Sequence, residues 1–373
     1  MSSSSLAVDE LLNGTKMDTS TFAAVHLCND SYEFYSDYEA FWAMAKVPFI
    51  LFGLVANPIS VLIFTRAVMR KSPINWYLLV LSTSDTVLLA ASFGFGVALQ
   101  LSGWFGLYEW EELWTRLGPT IMPTAEVART ASIFMTLSVS FHRFVGVSWP
   151  FKANRLLSRG RVKLLIGVML LLALLLAGTR FLDFVTTEPC FFPEVNASLS
   201  VIAGTELREN DVYYFVFYGW PAGCVKLIFP FAALVVMNTT VICAVRRTRR
   251  LHFALDQNDD AAKRHELQKE ISTSIMLISI VFLFLTCNVC SLLINLAEPA
   301  IRSENTPRLL VIFYSKGVPV SNTLVIVGAS LNIFIYCLFS NKYRRLLRHF
   351  ASCGTANYDE YTFSALNTNT PNA

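Results

Sequence analysis

The chain has 373 residues, of which 54% are hydrophobic and only 15% charged, and its mean hydropathy is +0.48. That composition excludes an ordinary soluble globular domain and implies an integral membrane protein. The formal net charge of +3 says little, because in a membrane protein the information lies in which loops hold the basic residues.

The first forty residues are polar and lack a basic start followed by an apolar core. No cleavable signal is therefore expected, and the first span is expected to serve as the insertion signal. Apolar runs long enough to cross a bilayer occur at Phe41–Phe64, Ile74–Leu101, Pro119–Val147, Val162–Gly178, Val212–Val245, Ile271–Leu296 and Leu309–Phe339. They predict an all-α membrane protein, a bundle of seven transmembrane helices. From Phe339 to Phe350, Lys and Arg alternate with Tyr, Leu and Phe at helical spacing, which predicts a short amphipathic helix on the inner membrane surface. The expected organisation is an extracellular glycosylated tail over 1–40, the bundle over 41–339, the amphipathic helix over 340–350 and a disordered cytoplasmic tail over 351–373.

Orientation follows from the connections. Arg66, Arg70 and Lys71, then Lys152, Arg155, Arg159 and Arg161, then Arg246 to Arg264, then Lys342 to Arg348 form the basic set, which is cytoplasmic by the positive-inside rule. The opposite connections are acidic and carry Asn-X-Ser/Thr triplets at Asn13, Asn29 and Asn196, as glycan acceptors must on an outer face. The amino terminus is thus expected outside and the carboxyl terminus inside. Cys353 is either palmitoylated or a plain thiol.

Landmarks then fall in order: Asn57 in the first span, Leu81-Ser-Thr-Ser-Asp85 in the second, and His142-Arg143-Phe144 closing the third. Pro230 lies in the fifth, and Asn332-Ile-Phe-Ile-Tyr336 ends the seventh. This pattern resembles the rhodopsin-like receptors that couple to heterotrimeric G proteins, over about Phe41–Phe350. Gly178-Thr-Arg-Phe-Leu-Asp183, Thr205-Glu-Leu-Arg-Glu-Asn210 with Tyr213 and Tyr214, and Phe284-Leu-Thr-Cys-Asn288 are similar to stretches of invertebrate FMRFamide receptors.

The resemblance implies that Asn57, Ser132 and Asn332 surround Asp85 in a cluster that can hold a sodium ion and rearranges on activation. Arg143 and Tyr336 would then meet the G protein. A purely structural polar contact between helices is the plainer reading; the switch is favoured because an intramembrane carboxylate is costly.

Several positions depart from the family. His142 replaces the acid before Arg143, Cys290 and Ile333 stand where prolines are usual, and Asn238 replaces a tyrosine. Without those prolines the helices are free to run on. The departures keep open a weakly signalling or decoy receptor. No Cys occurs from Ile74 to Gly160, so the family's usual bond from the third span to the second outer loop is absent. A Cys28–Cys190 bond is proposed instead, with free thiols or Cys190–Cys224 as alternatives.

Glu126 and Arg129 share a helix face in the outer half of the third span, where relatives of this family bind ligands. Lys226 lies one turn before Pro230, with Asp183 and Glu298 at the rim and Asn288 in the sixth span. These residues are the expected ligand site. Internal neutralisation of Glu126 by Arg129 or Lys226 is the bland alternative, and a polar pathway of a channel or transporter is the reading from another class. The opsin branch is excluded, since Ile326 stands where its retinal-binding Lys would be. No P-loop or zinc-protease motif is present, and Cys287 and Cys290 form a lone pair inside an apolar run. The expectation is a plasma-membrane receptor with no enzymatic chemistry and no cofactor. Its expected partners are an extracellular peptide, a G protein, arrestin and membrane lipid, but not nucleic acid.

A neutral imidazole cannot replace the carboxylate that would hold Arg143 in a resting state. His142→Asp is therefore expected to lower ligand-free signalling, measured as basal nucleotide exchange at matched surface expression.

Overall fold

The computed structural model describes Cys28, Tyr32 and residues 34–254, 261–301 and 307–351. Asn13, Asn29, Cys353 and most of both expected tails lie outside these residues.

Eight helices define the architecture: α1 Asp37–Phe64, α2 Ile74–Phe93, α3 Tyr108–Ser148, α4 Arg159–Ala177, α5 Phe229–Ala254, α6 Ala261–Ile301, α7 Arg308–Phe339 and α8 Asn341–Ala351. The first seven form the transmembrane bundle. Six of the seven crossings are long and apolar enough to span a bilayer by composition alone. The seventh, α3, has 41 residues, ample length, but carries Glu126, Arg129, His142 and Arg143 among its apolar positions.

Local sequence explains most boundaries. Ser36 and Glu39 cap α1 reciprocally, each side chain taking the other's backbone N–H. Beyond Phe93, α2 passes through a π turn at Gly94–Ala98, where the Lys46 ammonium donates to the Gly96 carbonyl at 2.6 Å.

Two expected boundaries were displaced. α3 begins at Tyr108, ahead of Pro119, because its first turns are acidic and escape a hydropathy reading while remaining helical. The fifth span is not one run from Val212. It is built from Asp211–Phe217, Trp220–Gly223 and a π turn at Cys224–Ile228 before α5 begins, with the break at Tyr218-Gly219 and Pro221 in the first turn of the helix that follows, where its missing N–H is tolerated. By contrast, α6 and α7 run unbroken through Cys290 and Ile333.

Between α4 and α5, β1 (Phe184–Thr186) pairs with β4 (Ile202–Gly204), and β2 (Cys190–Phe192) pairs with β3 (Ala197–Leu199), both antiparallel. Asn196 is exposed at the β2–β3 turn with φ of 51°, a left-handed conformation that Asn tolerates. Cys28 and Cys190 form a disulfide, while Cys224 is free.

At the opposite end, Tyr77, Leu78, Met135, Val139, Tyr336 and Tyr343 belong to one buried apolar cluster. Tyr343 of α8 is fully buried. It packs against Phe64 and Tyr336, and its hydroxyl shares a 2.7 Å hydrogen bond with that of Ser60 in α1. The amphipathic helix is thus anchored by one inserted ring. Tyr343→Ala is expected to destabilise the protein by about 3 kcal/mol, and Tyr343→Phe, which loses only the hydroxyl contact, by about 1 kcal/mol. Thermal unfolding of purified protein distinguishes the two.

Candidate functional site

Asp85 is 1% exposed in the middle of the bundle. One carboxylate oxygen accepts from the Ser132 hydroxyl at 2.8 Å and the other from the Asn332 amide at 2.8 Å. α2, α3 and α7 therefore meet at one charge. Asn57 departs from expectation: its amide donates to the Ala329 carbonyl at 3.0 Å, so it ties α1 to α7 backbone instead of bonding to Asp85. A cavity of about 30 Å³ opens beside the cluster, lined by Asp85, Ser132, Asn332, Arg129, Phe284 and Asn288. That space suits a water or a small ion.

Toward the amino-terminal end of α3 the bundle holds a second, more heavily charged group. Glu126 lies within electrostatic reach of Arg129, Lys226 and Arg180. No side-chain hydrogen bond joins Glu126 to Arg129; the Arg129 guanidinium reaches across to the Ser291 hydroxyl of α6. Lys226 is carried inward by the Cys224–Ile228 π turn and is 9% exposed, with no acceptor on its ammonium among the described residues. Asn288 is nearly buried, its amide donating to the Phe284 carbonyl, and Glu298 faces Arg180, Glu126, Arg208 and Lys226.

Asp183 needs correction. Expected at the rim, it is fully buried. Its oxygens take the hydroxyls of Tyr213, at 2.5 Å, and Tyr218, and Arg180 approaches at 4.0 Å. The Arg180 guanidinium stacks 3.3 Å above the Tyr218 ring. Asp183 thus organises the chamber wall. The sequence reading missed Arg180, Tyr218 and Ser291; the i,i+3 spacing of Arg180 and Asp183 was the available signal.

The roof is built without the usual covalent bond to α3. Strand β4 lies against the helix so closely that a Cβ on Gly118 would stand 2.5 Å from Ile202. Glu112 accepts from the backbone N–H of Ser200 at 2.5 Å and from its hydroxyl at 2.8 Å. The strap that begins at the Cys28–Cys190 bond then places Tyr32 edge-on to Phe34, Tyr108 and Phe192. The Tyr32 hydroxyl donates to both oxygens of Glu111, at 3.1 and 3.0 Å. Burial pushes the Glu111 carboxyl above its usual range, the Tyr32 bond opposing. Burial also acts upward on Glu112, but the Ser200 N–H, Arg116 and the Ser200 hydroxyl hold it below that range.

A seven-helix bundle with a buried Asp–Ser–Asn cluster, a charged chamber and an Arg near the carboxyl-terminal end of the third helix matches the model of the 7 transmembrane receptor (rhodopsin family) over residues 56–336. The chain belongs to that family. It is 30% identical to the FMRFamide receptor of Drosophila melanogaster over 304 residues, which cover 79% of this chain and 50% of that protein. It is 25% identical to the probable G-protein coupled receptor frpr-1 of Caenorhabditis elegans over 314 residues, 80% of this chain and 75% of that one. The FMRFamide peptide receptor frpr-18 of the same worm is 25% identical over 329 residues, 86% and 72% of the two chains. The matched region thus spans about half the length of the Drosophila relative.

In this receptor His142 and Arg143 lie near the carboxyl-terminal end of α3. The His142 ring stands edge-on to Tyr77 at 5.8 Å, and its nitrogens have no hydrogen-bond partner among the described residues. Tyr336 is buried against Phe64. Asn238 bonds to Ser140 and to the Leu234 carbonyl. Ile326 is buried in an apolar cluster.

Because the folded state raises the Glu111 pKa, protonation is favoured on folding. That contribution is complete below the ordinary value of 4.5 and is lost as pH rises through the raised one. Hydrogen-exchange protection of the strap is expected to decline over that window, and Glu111→Gln, which retains an acceptor for Tyr32, is expected to flatten the decline.

Proposed function

We propose that this receptor sits in the plasma membrane with its amino terminus outside, binds an extracellular FMRFamide-like amidated peptide and passes the event to a heterotrimeric G protein. The support is the likeness to FMRFamide receptors combined with the chemistry of the outer chamber. The observation that carries it is the unbalanced charge there. Among the described residues Lys226 has no acceptor, and Glu126 makes no side-chain hydrogen bond to the cations around it.

In this reading Glu126 and Glu298 meet the peptide's Arg, while Lys226, Arg129 and Asn288 hold carbonyl oxygens near the amidated end. Asp183 positions Tyr213 and Tyr218 as part of an aromatic wall that receives Phe. Binding shifts the population toward a state competent for G protein, with rearrangement around Asp85 communicated by α3 and α7 to Arg143 and Tyr336. Arrestin and inner-leaflet lipid are further partners, and Asn13, Asn29 and Asn196 are glycan acceptors.

The donor set beside Asp85 also fits a sodium ion. The carboxylate and the Ser132 hydroxyl offer oxygen ligands next to a cavity of suitable size, and Asn332 holds the carboxylate in place. Bound there, sodium would add a positive charge that stabilises ionised Asp85. Arg129 lines the same cavity, and its charge weakens such occupancy.

Membership of a receptor family does not favour the channel or transporter alternative. A screen of amidated peptides against cells expressing the chain, read as nucleotide exchange on G protein, tests the main reading. Glu126→Gln is expected to shift the dose–response curve to about thirtyfold higher concentration, corresponding to about 2 kcal/mol for a lost desolvated charge pair. An unshifted curve at normal expression removes Glu126 from the ligand site.

A further inference from the structure

The imbalance of charge in the ligand chamber has a sign. Among the described residues four cations, Arg129, Arg180, Arg208 and Lys226, share the chamber with three carboxylates, Glu126, Asp183 and Glu298. A ligand that brought only an Arg side chain would double the positive surplus. Like charges close together and away from bulk water repel strongly, so such a ligand would enter against the field of its own site.

The surplus is concentrated around one ring. The Arg180 and Arg208 guanidinium groups both stand over Tyr218, 3.3 and 5.5 Å from the ring centroid, and Arg208 also lies 4.2 Å from the centroid of Phe184 in β1. A π face attracts a cation but supplies no counter-charge. Arg180 meets Asp183 only at 4.0 Å, and that carboxylate already accepts from Tyr213 and Tyr218. The Arg180 Nε and the Lys226 ammonium are both buried without a hydrogen-bond partner among the described residues. No acidic oxygen lies within 4.0 Å of Arg208 or Lys226 among those residues.

The origin of these cations sets where their partner must be. Arg180 belongs to the 3₁₀ turn Gly178–Leu182 after α4, and Arg208 to the single turn Glu206–Glu209 after β4. Both therefore sit beside the hairpin that roofs the chamber. Arg129 and Asn288, by contrast, line the Asp85 cavity and form its floor. An amidated peptide has no terminal carboxylate. With its amidated end toward the floor, the negative charge it can offer the roof is an acidic side chain nearer its amino terminus.

We propose that the ligand carries an acidic side chain on the amino-terminal side of its Arg-Phe-amide end, and that Arg180 and Arg208, with Lys226 adding its charge, form the subsite that takes it. The inference rests on the peptide reading above and narrows it. Glu126 and Glu298 select the ligand's cation, while the pair over Tyr218 selects its anion. The peptide is then recognised by two opposite charges at a fixed spacing, and a purely basic peptide is rejected by the uncompensated arginines.

The test uses the full chain in cell membranes and a series of alanine heptapeptides ending in Arg-Phe-amide. Each carries one Asp at one of the five preceding positions, with Asn at the same position as the isosteric control, and nucleotide exchange on G protein is read. At one position the Asp peptide is expected to act at about tenfold lower concentration than its Asn twin, the worth of a charge-assisted hydrogen bond. Arg208→Gln is expected to abolish that preference, and in Arg208→Glu a Lys peptide is expected to outperform the Asp peptide. Lys316→Gln removes a cation that sits over Tyr38 at 4.1 Å and is expected to leave the preference unchanged. The comparison is between two peptides on one protein, so expression cancels, and the unsubstituted receptor alone decides the first point.

Equal potency of Asp and Asn peptides at every position overturns the proposal, as does a preference that survives Arg208→Gln or falls equally in Lys316→Gln. A free anion offers the same charge. Asn peptides that match the Asp peptides in chloride and lose potency when gluconate replaces it assign the subsite to chloride and overturn its assignment to the peptide. No response to any peptide of either series overturns the peptide reading and this inference with it, whereas the other outcomes overturn this inference alone.

Discussion

A carboxylate buried in an apolar bundle must be supplied with donors, and the position of Asp85 makes this a constraint on three helices at once. Its two oxygens are engaged by Ser132 from α3 and Asn332 from α7, and removing either donor would leave a desolvated charge short of a partner. The cluster therefore fixes the depth and rotation of α2, α3 and α7 more sharply than apolar packing does, since packing alone tolerates exchange of similar shapes. The cavity beside it leaves room for adjustment at that point. A pinned charge next to a space is the arrangement a two-state element needs.

The same rule governs the other half of the bundle, with a different outcome. There some ionisable groups are directly bonded and others are not. Asp183 is bonded by two tyrosine hydroxyls, while Lys226 is held inward by a π turn with no acceptor among the described residues. A site that is internally complete has little affinity left for a ligand, whereas one with unanswered charge does.

How much of this was legible in the sequence depended on the kind of signal. Helix number, the Asp85 cluster and the Cys28–Cys190 pair could be read because each rests on a run or a scarce residue type. The early start of α3 could not, since Glu109, Glu111 and Glu112 are good helix residues that hydropathy discounts. The break before α5 lay at Tyr218-Gly219 but inside an apolar run that masked it. Lys46 stood in plain view within the first span; its role depends on a π turn fifty residues away in α2, which no local pattern discloses. Asp183 was misplaced for a similar reason, since its burial comes from tyrosines that follow the hairpin.

The absence of a cysteine at the top of α3 divides the roof into two attachments of different chemistry. The hairpin is held to α3 by Glu112, Ser200 and the close approach at Gly118, while the strap is held to the hairpin by sulfur. A thiol reductant would therefore cut the covalent link between strap and hairpin, leaving the hairpin seated and the strap held by the Tyr32 contacts to Glu111, Tyr108 and Phe192. In relatives whose hairpin is itself sulfur-linked to the third helix, the same reagent acts on both together. This receptor's roof is chemically separable, so the contributions of its two parts to ligand entry can be taken apart in the intact protein with no substitution at all.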